Sequence, residues 1–173
     1  METLLTRQQI AEAVARIGGE ISRDFAGESV VLIGVLKGAC IFLSDLARQI
    51  ELNATFDFIA VRSYGNKRET AGEVQLIKDV TTPLRGQNVI LVEDILDTGL
   101  TLTFLRKHLQ AHQPCSFKIA TLLDKPSRRV APVQADYVGF RIPDQFVVGY
   151  GLDYAERFRN LPDICLLEDG AAE

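Results

Sequence analysis

The stretch VILVEDILDTGLTLT, residues 89–103, decides the fold. It opens on a continuous apolar run rich in β-branched residues, which is typical of a strand buried in a parallel sheet. Two adjacent carboxylates, Glu93 and Asp94, follow this run, and Asp97 then opens a polar turn. The leucines that come next recur at helical spacing. The stretch therefore predicts a buried strand, a turn and a helix in direct succession.

Strands and helices alternate through the rest of the chain. Thr6 and Gln9 have capping-box spacing, so a helix is expected from Arg7 to Arg23. The apolar run Ser29–Val35 is typical of another buried strand. Further strands are expected at residues 56–61, 74–80, 88–92, 117–123, 137–140, 146–150 and 164–167, with further helices at residues 39–50 and after residue 99. This order predicts an α/β fold in which a largely parallel twisted sheet carries helices on both faces.

Composition bounds the class of protein. The 173 residues are 47% hydrophobic and 24% charged, which suits one soluble globular domain spanning residues 1–173. The formal net charge of −4 argues against a nucleic-acid-binding role, since such domains carry a basic surface. The three cysteines form no CxxC pair and are expected to be free thiols in a reducing compartment. With no apolar run of transmembrane length, we expect a cytoplasmic protein that binds neither nucleic acid nor membrane.

The turn after Glu93 and Asp94 has the composition of an anion-binding site. The helix that begins there leaves several backbone N–H groups without intrahelical partners, and the helix dipole favours an anion beside them. The polar residues of the turn are Asp97, Thr98, Gly99 and Thr101. Carboxylates so near a phosphate would repel it unless Mg²⁺ neutralises them or they accept hydrogen bonds from sugar hydroxyls. A phosphorylated sugar meets both conditions.

These acidic residues have a plainer alternative. Asp97 could cap the helix, with Glu93 and Asp94 exposed to solvent, because acidic N-caps are common. Three acids and two threonines placed around one glycine favour a binding site over a cap. A second signal is weaker: His108 and His112 are four residues apart on a helix, but no third ligand accompanies them at fixed spacing. We expect these histidines to be helix-surface residues.

The stretch of residues 89–103 resembles the PRPP-binding signature of type I phosphoribosyltransferases: a hydrophobic strand, two acids, two apolar residues, then Asp-Thr-Gly and a Thr. The rest of the chain resembles the hypoxanthine-guanine branch of that family. The matches are the pyrophosphate loop at Leu36, Lys37 and Gly38, the closing loop at Ser63 and Tyr64, the purine-binding lysine at Lys125, and the base-binding region at residues 136–159. The resemblance implies the type I fold with a small hood region. It also implies transfer of the 5-phosphoribosyl group of PRPP to hypoxanthine or guanine.

The resemblance assigns a role to each matching residue. The residues assigned to PRPP, its ribose and its 5′-phosphate are Glu93, Asp94, Asp97, Thr98, Gly99, Leu100 and Thr101. Those assigned to pyrophosphate are Lys37, Gly38 and Arg159, and those assigned to the purine are Lys125, Phe146, Val147 and Asp153. Mg²⁺, the one cofactor implied, would be held by Glu93, Asp94 and Asp153. Asp97 would act as general acid or base near purine N7.

Several of these residues have structural alternatives. Lys37 and Lys125 could be solvated lysines at a turn and at a strand end, and Phe146 could belong to the core. Asp153 and Arg159 could be surface charges. At position 100, where some relatives carry a polar or basic residue, this chain has leucine. Whether Arg128 or Arg129 contacts pyrophosphate, and whether the peptide before residue 37 is cis, stays open.

The sequence also weighs against other functions. It contains neither GxGxxG after a strand nor GxxxxGK[ST], so it lacks the fingerprints of dinucleotide enzymes and P-loop triphosphatases. A nucleic-acid-binding regulator on the same fold would need a basic face. The expected partners are therefore PRPP, hypoxanthine and guanine, in a homodimer or homotetramer, with a loop of residues 63–72 closing over the site. Preference among hypoxanthine, guanine and xanthine is left open.

Overall fold

The computed structural model describes residues 1–64 and 73–167, without the side chain of Tyr64. The strands are β1 Glu2–Leu5, β2 Ser29–Leu36, β3 Asn53–Tyr64, β4 Glu73–Lys78, β5 Asn88–Leu96, β6 Ser116–Asp124, β7 Tyr137–Arg141, β8 Val147–Val148 and β9 Ile164–Leu166. The helices are α1 Arg7–Asp24, α2 Cys40–Ala47 and α3 Leu100–Gln110, with a 3₁₀ turn at Pro126–Arg128.

Six strands form the main sheet, in the order β4-β3-β2-β5-β6-β7. Five of them run parallel, and β4 returns antiparallel to β3 at one edge. The carboxyl ends of the parallel strands therefore lie along one edge of the sheet, where ligands of such folds bind. The α/β fold with a largely parallel sheet that the sequence predicts is confirmed.

The sheet separates two apolar cores. Successive side chains of a strand point to opposite faces. Leu32 of β2 accordingly shares one apolar cluster with Ile17 of α1 and Phe42 of α2, whereas Ile33 shares the other cluster with Leu105 of α3. All five side chains are fully buried or nearly so. This two-sided burial explains the unbroken apolar runs in the sequence and confirms helices on both faces.

A smaller antiparallel sheet, in the order β1-β9-β8, stands beside the main one. We call β1 together with residues 143–167 the hood. It is tied to the helices by two long-range hydrogen bonds: the Arg7 N–H donates to Asp163 at 2.7 Å, and the Tyr150 hydroxyl donates to Asp45 at 2.5 Å. Within the described ranges, no helix is long and apolar enough to cross a membrane.

Several elements differ from the sequence-based expectation. The central strand β5 continues past the expected end at Val92 to Leu96, so the two adjacent carboxylates belong to the strand itself. The strand expected at residues 146–150 is reduced to the two residues of β8, because the following Gly149 and Gly151 adopt φ of +102° and +101°. The strand β1 was not expected, and α2 is shorter than residues 39–50.

Candidate active site

Glu93 and Asp94 form a carboxylate pair near the carboxyl end of β5. Glu93 is only 7% exposed, and its backbone pairs with Thr121 of β6. The Asp94 N–H donates to the Glu93 carboxylate at 3.1 Å, and the Ile95 N–H donates to the Asp94 carboxylate at 2.7 Å. The expected alternative, in which these acids are exposed to solvent, is therefore wrong for Glu93.

Burial dominates the electrostatics of this pair. It raises the pKa of the Glu93 carboxyl well above its usual value, and the adjacent Asp94 carboxylate raises that pKa further. Burial also raises the pKa of Asp94, while hydrogen bonds from Glu93 and Ile95 and the charge of Arg159 act in the opposite direction. Burial and their mutual repulsion thus disfavour a negative charge on both carboxyl groups at once. Hydroxyl donors or a divalent cation placed at the pair would offset the same cost.

The turn after β5 presents the N-terminus of α3. Gly99 is the N-cap with φ of +84°, and no side chain caps the helix. A methyl group at Gly99 would lie 2.5 Å from Val133 Cγ1, so both the backbone conformation and the packing require glycine. The Leu100 N–H contacts the Thr98 hydroxyl at a long 3.4 Å. The alternative that Asp97 caps the helix is therefore wrong.

A cavity of about 290 Å³ opens over this turn. Its lining consists of the acid pair, the turn and the start of α3: Glu93, Asp94, Ile95, Leu96, Asp97, Thr98, Gly99, Thr101 and Leu102. The helix dipole and the first N–H groups of α3 favour an anion at one side of it, and the carboxylates favour hydroxyls or a cation at the other. The cavity can therefore hold a phosphorylated polyol.

Asp97 faces a charged cluster built by the loop after β6. The Arg128 guanidinium donates to the Asp97 carboxylate at 3.0 Å and lies 3.8 Å from Asp144. This pairing raises the pKa of Arg128. Arg129 points elsewhere: it pairs with Asp124, and its Cδ would lie 3.1 Å from a methyl group at Gly99. Of the two arginines, Arg128 is therefore the one beside Asp97.

Lys125 and Phe146 meet where β6 approaches the hood. Lys125 is 7% exposed, and its ammonium donates to the Gln145 carbonyl at 2.6 Å, so it is not a solvated strand-end lysine. The next residue, Phe146, is 53% exposed and packs edge-on against the Tyr154 ring at 5.7 Å, so it is not a core phenylalanine. A buried cationic donor is thereby bonded to the residue that precedes an accessible aromatic ring.

The hood also meets the loop between β2 and α2. Lys37 pairs with Glu156 at 2.6 Å, and Glu156 in turn contacts Arg159 at 3.2 Å. Arg159 pairs with Asp153 at 3.0 Å and donates to the Gly151 carbonyl at 2.7 Å. These side chains form one connected ionic network. The alternative that Asp153 and Arg159 are isolated surface charges is therefore wrong.

Close backbone contacts join this network to the acid pair. A methyl group at Gly38 would overlap the Asp94 carboxylate, and one at Gly151 would overlap the Gly38 carbonyl. The peptide bond between Leu36 and Lys37 is cis. The loop at Gly38 is therefore packed directly against both β5 and the hood.

Comparisons with known proteins decide the family. The phosphoribosyl transferase domain family matches residues 1–155 of the chain. The hypoxanthine-guanine phosphoribosyltransferase of Bacillus subtilis (strain 168) is 45% identical over 172 residues, which cover 99% of this chain and 96% of the relative. The chain belongs to the phosphoribosyltransferase family, in its hypoxanthine-guanine branch.

Solved structures agree with this assignment of the transferase. The crystal structure of a hypoxanthine-guanine phosphoribosyltransferase from Bacillus anthracis superposes with a TM-score of 0.94 at 50% identity, covering 97% of this chain and 99% of the other. The hypoxanthine phosphoribosyltransferase of Trypanosoma cruzi, in a ternary substrates complex, gives a TM-score of 0.93 at 36% identity, covering 99% and 97%. The family and fold expected from the sequence are thus confirmed.

Sequence reasoning overlooked four residues of the transferase's candidate site. Glu156 links Lys37 to Arg159, Asp144 lies between Lys125 and Arg128, and Tyr154 contacts Phe146. Asp124 pairs with Arg129. Three of them, Asp144, Tyr154 and Glu156, lie inside the base-binding region of residues 136–159, where each polar or aromatic residue near a matched position was a signal. The spacing of Asp153, Glu156 and Arg159 was another such signal.

The structure describes only the start of the expected closing loop of the transferase. Ser63 and Tyr64 end β3, and their backbones pair with Val74 and Glu73 of β4. They lie at the same edge of the main sheet as the carboxyl ends of the other parallel strands. The rest of the expected closing loop, residues 65–72, lies outside the described residues.

Proposed function

We propose that this chain transfers the 5-phosphoribosyl group of PRPP to hypoxanthine or guanine, giving IMP or GMP and pyrophosphate, in a Mg²⁺-dependent step of purine salvage. One observation carries the proposal: a carboxylate pair, Glu93 and Asp94, shares one cavity with the glycine-capped N-terminus of α3. The cavity combines partners for sugar hydroxyls with partners for a phosphate, which is the chemistry of a phosphorylated ribose.

The sugar phosphate would bind across this cavity. Backbone N–H groups and the hydroxyls of Thr98 and Thr101 would receive the 5′-phosphate, and the cavity also extends along Leu102. The Leu100 N–H, which lies 3.4 Å from the Thr98 hydroxyl, would be one of these donors, so its apolar side chain does not weaken the assignment. Glu93 and Asp94 would accept hydrogen bonds from the ribose hydroxyls, which offsets their burial.

The acid residues also fit a magnesium ion. Mg²⁺ prefers carboxylate oxygens and water, and a divalent cation would stabilise the negative charge that burial disfavours on Glu93 and Asp94. Asp153, held by Arg159, is the third candidate ligand, on the pyrophosphate side. When bound, Mg²⁺ would supply neutralisation of the charge on the leaving pyrophosphate.

Asp97 is proposed as the proton-transfer group. Its carboxylate is partly exposed at the cavity edge and is held by Arg128 at 3.0 Å. Transfer requires loss of a proton from the purine while the ribose carbon gains positive charge. A carboxylate can accept that proton and also stabilise the positive charge. Substrate binding would replace the contact with Arg128, since both compete for the same oxygens.

Lys125, Phe146 and Val147 are proposed to select a 6-oxopurine. The Lys125 ammonium can donate to the exocyclic oxygen, since ammonium has donors only. Phe146 offers an exposed ring on which the base can stack, and the backbone of Val147 can contact the base edge. Asp153 would lie near the same base. Adenine carries an amino group in place of that oxygen, so the Lys125 ammonium would meet a second hydrogen-bond donor and no acceptor.

Pyrophosphate would be received by Lys37, Gly38 and Arg159. The Nε of Arg159 is buried without a hydrogen-bond partner in the described part of the chain, so it retains a donor for an anion. A loop of residues 63–72, beginning at Ser63 and Tyr64, is proposed to close over the site and exclude water from the reactive sugar. A cytoplasmic homodimer or homotetramer is the proposed form.

A base panel tests the proposal. PRPP-dependent consumption of hypoxanthine, guanine, xanthine, adenine and uracil is measured in parallel, each with Mg²⁺ and with excess chelator. We expect hypoxanthine and guanine to be consumed, adenine and uracil to be spared, and chelation to abolish turnover. Preferred use of adenine or uracil would contradict the base assignment, and full activity in chelator would contradict the metal assignment.

A further inference from the structure

Asp79, His108 and His112 form a cluster away from the candidate active site. One ligand atom from each lies within 4.8 Å of the other two. His108 Nε2 is 2.9 Å from the Asp79 carboxylate, and the rings of the two histidines are 5.5 Å apart, edge to face. The third ligand that the sequence did not reveal is supplied by a residue 29 positions earlier in the chain.

The fold holds this cluster in place from two elements. Asp79 directly follows β4, and its carboxylate accepts from the Val80 N–H at 2.7 Å. His108 lies in the last turn of α3, where its ring stacks on Phe104 at 6.3 Å between centroids. Val80 and Phe104 both pack against the apolar core under α3. The ligand-bearing backbones are therefore fixed by packing.

Two of the three side chains in this cluster are partly buried, and the third is exposed to solvent. Asp79 and His108 are partly buried, with side chains 41% and 26% exposed, while His112 is exposed just beyond the end of α3. An exposed histidine can rotate to meet an ion. Two ligand atoms about 2.0–2.2 Å from a tetrahedral ion lie roughly 3.3 Å apart. The Asp79–His108 pair, at 2.9 Å, is slightly closer than this and has to open a little, whereas His112 has to make the main adjustment.

We propose that Asp79, His108 and His112 bind a divalent first-row transition ion of the Zn²⁺ type. Two imidazoles and one carboxylate suit Zn²⁺, Co²⁺ or Ni²⁺, whereas Mg²⁺ prefers oxygen ligands alone. Water would complete the tetrahedron. The site is separate from the phosphate-binding turn, because nine residues of helix between Gly99 and His108 span about 13 Å. A bound ion would connect β4 to α3 and stabilise the folded chain.

Binding of Zn²⁺ and Co²⁺ to untagged, chelator-treated protein tests this site. Mg²⁺ is kept in excess so that the carboxylates of the active site are occupied. The Zn²⁺ affinity is measured by competition with a chromophoric chelator, and Co²⁺ is followed by its visible ligand-field bands. We expect one equivalent of each ion, a tetrahedral Co²⁺ spectrum, and a Zn²⁺-dependent rise in Tm.

Variants separate this site from other ligands. His112→Ala and His112→Gln alter an exposed residue, so the fold should persist. Loss of a partner outside the ligand shell weakens metal binding by about 10–100-fold, and loss of a ligand should weaken Zn²⁺ binding by more than that. Cys115→Ser, which removes an exposed thiol, should leave the affinity unchanged. Transferase activity without Zn²⁺ should be equal in all of them. Binding by both His112 variants as tight as in the unaltered chain, or no saturable binding by the unaltered chain, would overturn the proposal and leave a His–Asp hydrogen bond.

Discussion

Glu93 and Asp94 are two touching carboxyl groups in a place where the protein environment favours a single negative charge. Burial is the largest cause of the raised pKa of both groups. A buried pair of this kind destabilises the free protein unless a ligand compensates it. At the scale of single residues, the candidate site therefore contains groups whose buried charge lowers the stability of the protein when no substrate is bound.

Glu93→Gln tests this cost through the pH dependence of stability. Because the pKa of Glu93 is raised in the folded state, its favourable contribution is complete below the ordinary value of 4.5 and is lost as pH rises through the raised folded pKa. Without Mg²⁺, we expect the glutamine variant to have the higher free energy of unfolding at neutral pH and a smaller decline with rising pH, since only the raised pKa of Asp94 remains. Urea unfolding from pH 4 to 8 measures it, with the exposed Glu12→Gln as control. Equal pH profiles for the unaltered chain and Glu93→Gln would contradict the burial argument.

Asp97→Asn tests proton transfer. The variant keeps the size of the side chain but removes its charge and basicity, so kcat should fall by about 10²–10⁴ while PRPP affinity stays constant or tightens. Single-turnover rate and PRPP Kd are measured together. Asp144→Asn is the matched control, since it also removes a carboxylate beside Arg128. A near-normal rate for Asp97→Asn would leave the general base unidentified.

Lys125→Ala tests whether Lys125 recognises the purine base. Loss of a charge-assisted hydrogen bond should cost about 1.5–3 kcal/mol, so KM for hypoxanthine should rise far more than KM for PRPP. Lys118→Ala is the control, because Lys118 lies on β6, the strand that Lys125 directly follows, but pairs with Asp136 at the surface. Equal increases in both KM values would show that Lys125 does not contact the base.

At the scale of elements, the turn between β5 and α3 joins the proposed sugar-binding and phosphate-binding halves of the site. Gly99 ends the turn with φ of +84°, and Gly86 elsewhere adopts a similar φ of +71° with open space around it. The two glycines therefore share backbone strain on substitution, whereas only Gly99 adds a steric clash. Comparing substitutions at Gly86 and Gly99 therefore separates the free-energy cost of the backbone conformation from that of the steric clash.

Gly99→Ala and Gly86→Ala exploit that difference. Each should lose about 1–2 kcal/mol of stability from the left-handed backbone. Gly99→Ala should lose more, because its methyl group meets Val133 at 2.5 Å, and it should also weaken PRPP binding. Denaturant unfolding and PRPP Kd are measured for both. Identical losses with unaltered PRPP affinity would show that the geometry of this turn does not matter for the phosphate.

The sequence predicts the elements whose signal is local. The unbroken apolar runs predict β2, β5 and β6 because both faces of those strands are buried, and the capping box of Thr6 and Gln9 predicts the start of α1, where both bonds are present. The strand expected at residues 146–150 is found, but its reduction to the two residues of β8 and the strand β1 escaped such reasoning, since their pairing depends on partners far along the chain. The contact of Arg128 with Asp97 and that of Asp79 with His108 escaped it for the same reason.

At the scale of the whole molecule, the candidate site exists only where the main sheet and the hood meet. The sheet and the loops at its carboxyl edge supply the acid pair, the turn before α3 and Lys125, and the hood supplies Phe146 and the ionic network around Arg159. Gly151 packs directly on Gly38 at this junction. A site assembled from both parts can receive the base from the hood side and PRPP from the sheet side.

The most direct test of the account is the stoichiometry of the reaction that it assigns to the whole molecule. PRPP, hypoxanthine and Mg²⁺ are mixed with the unaltered chain, and IMP and pyrophosphate are quantified over time. We expect one pyrophosphate for each IMP, and little pyrophosphate release when hypoxanthine is omitted, because the proposed closed site would exclude water. No IMP, or release of pyrophosphate at the same rate without the base, would contradict it.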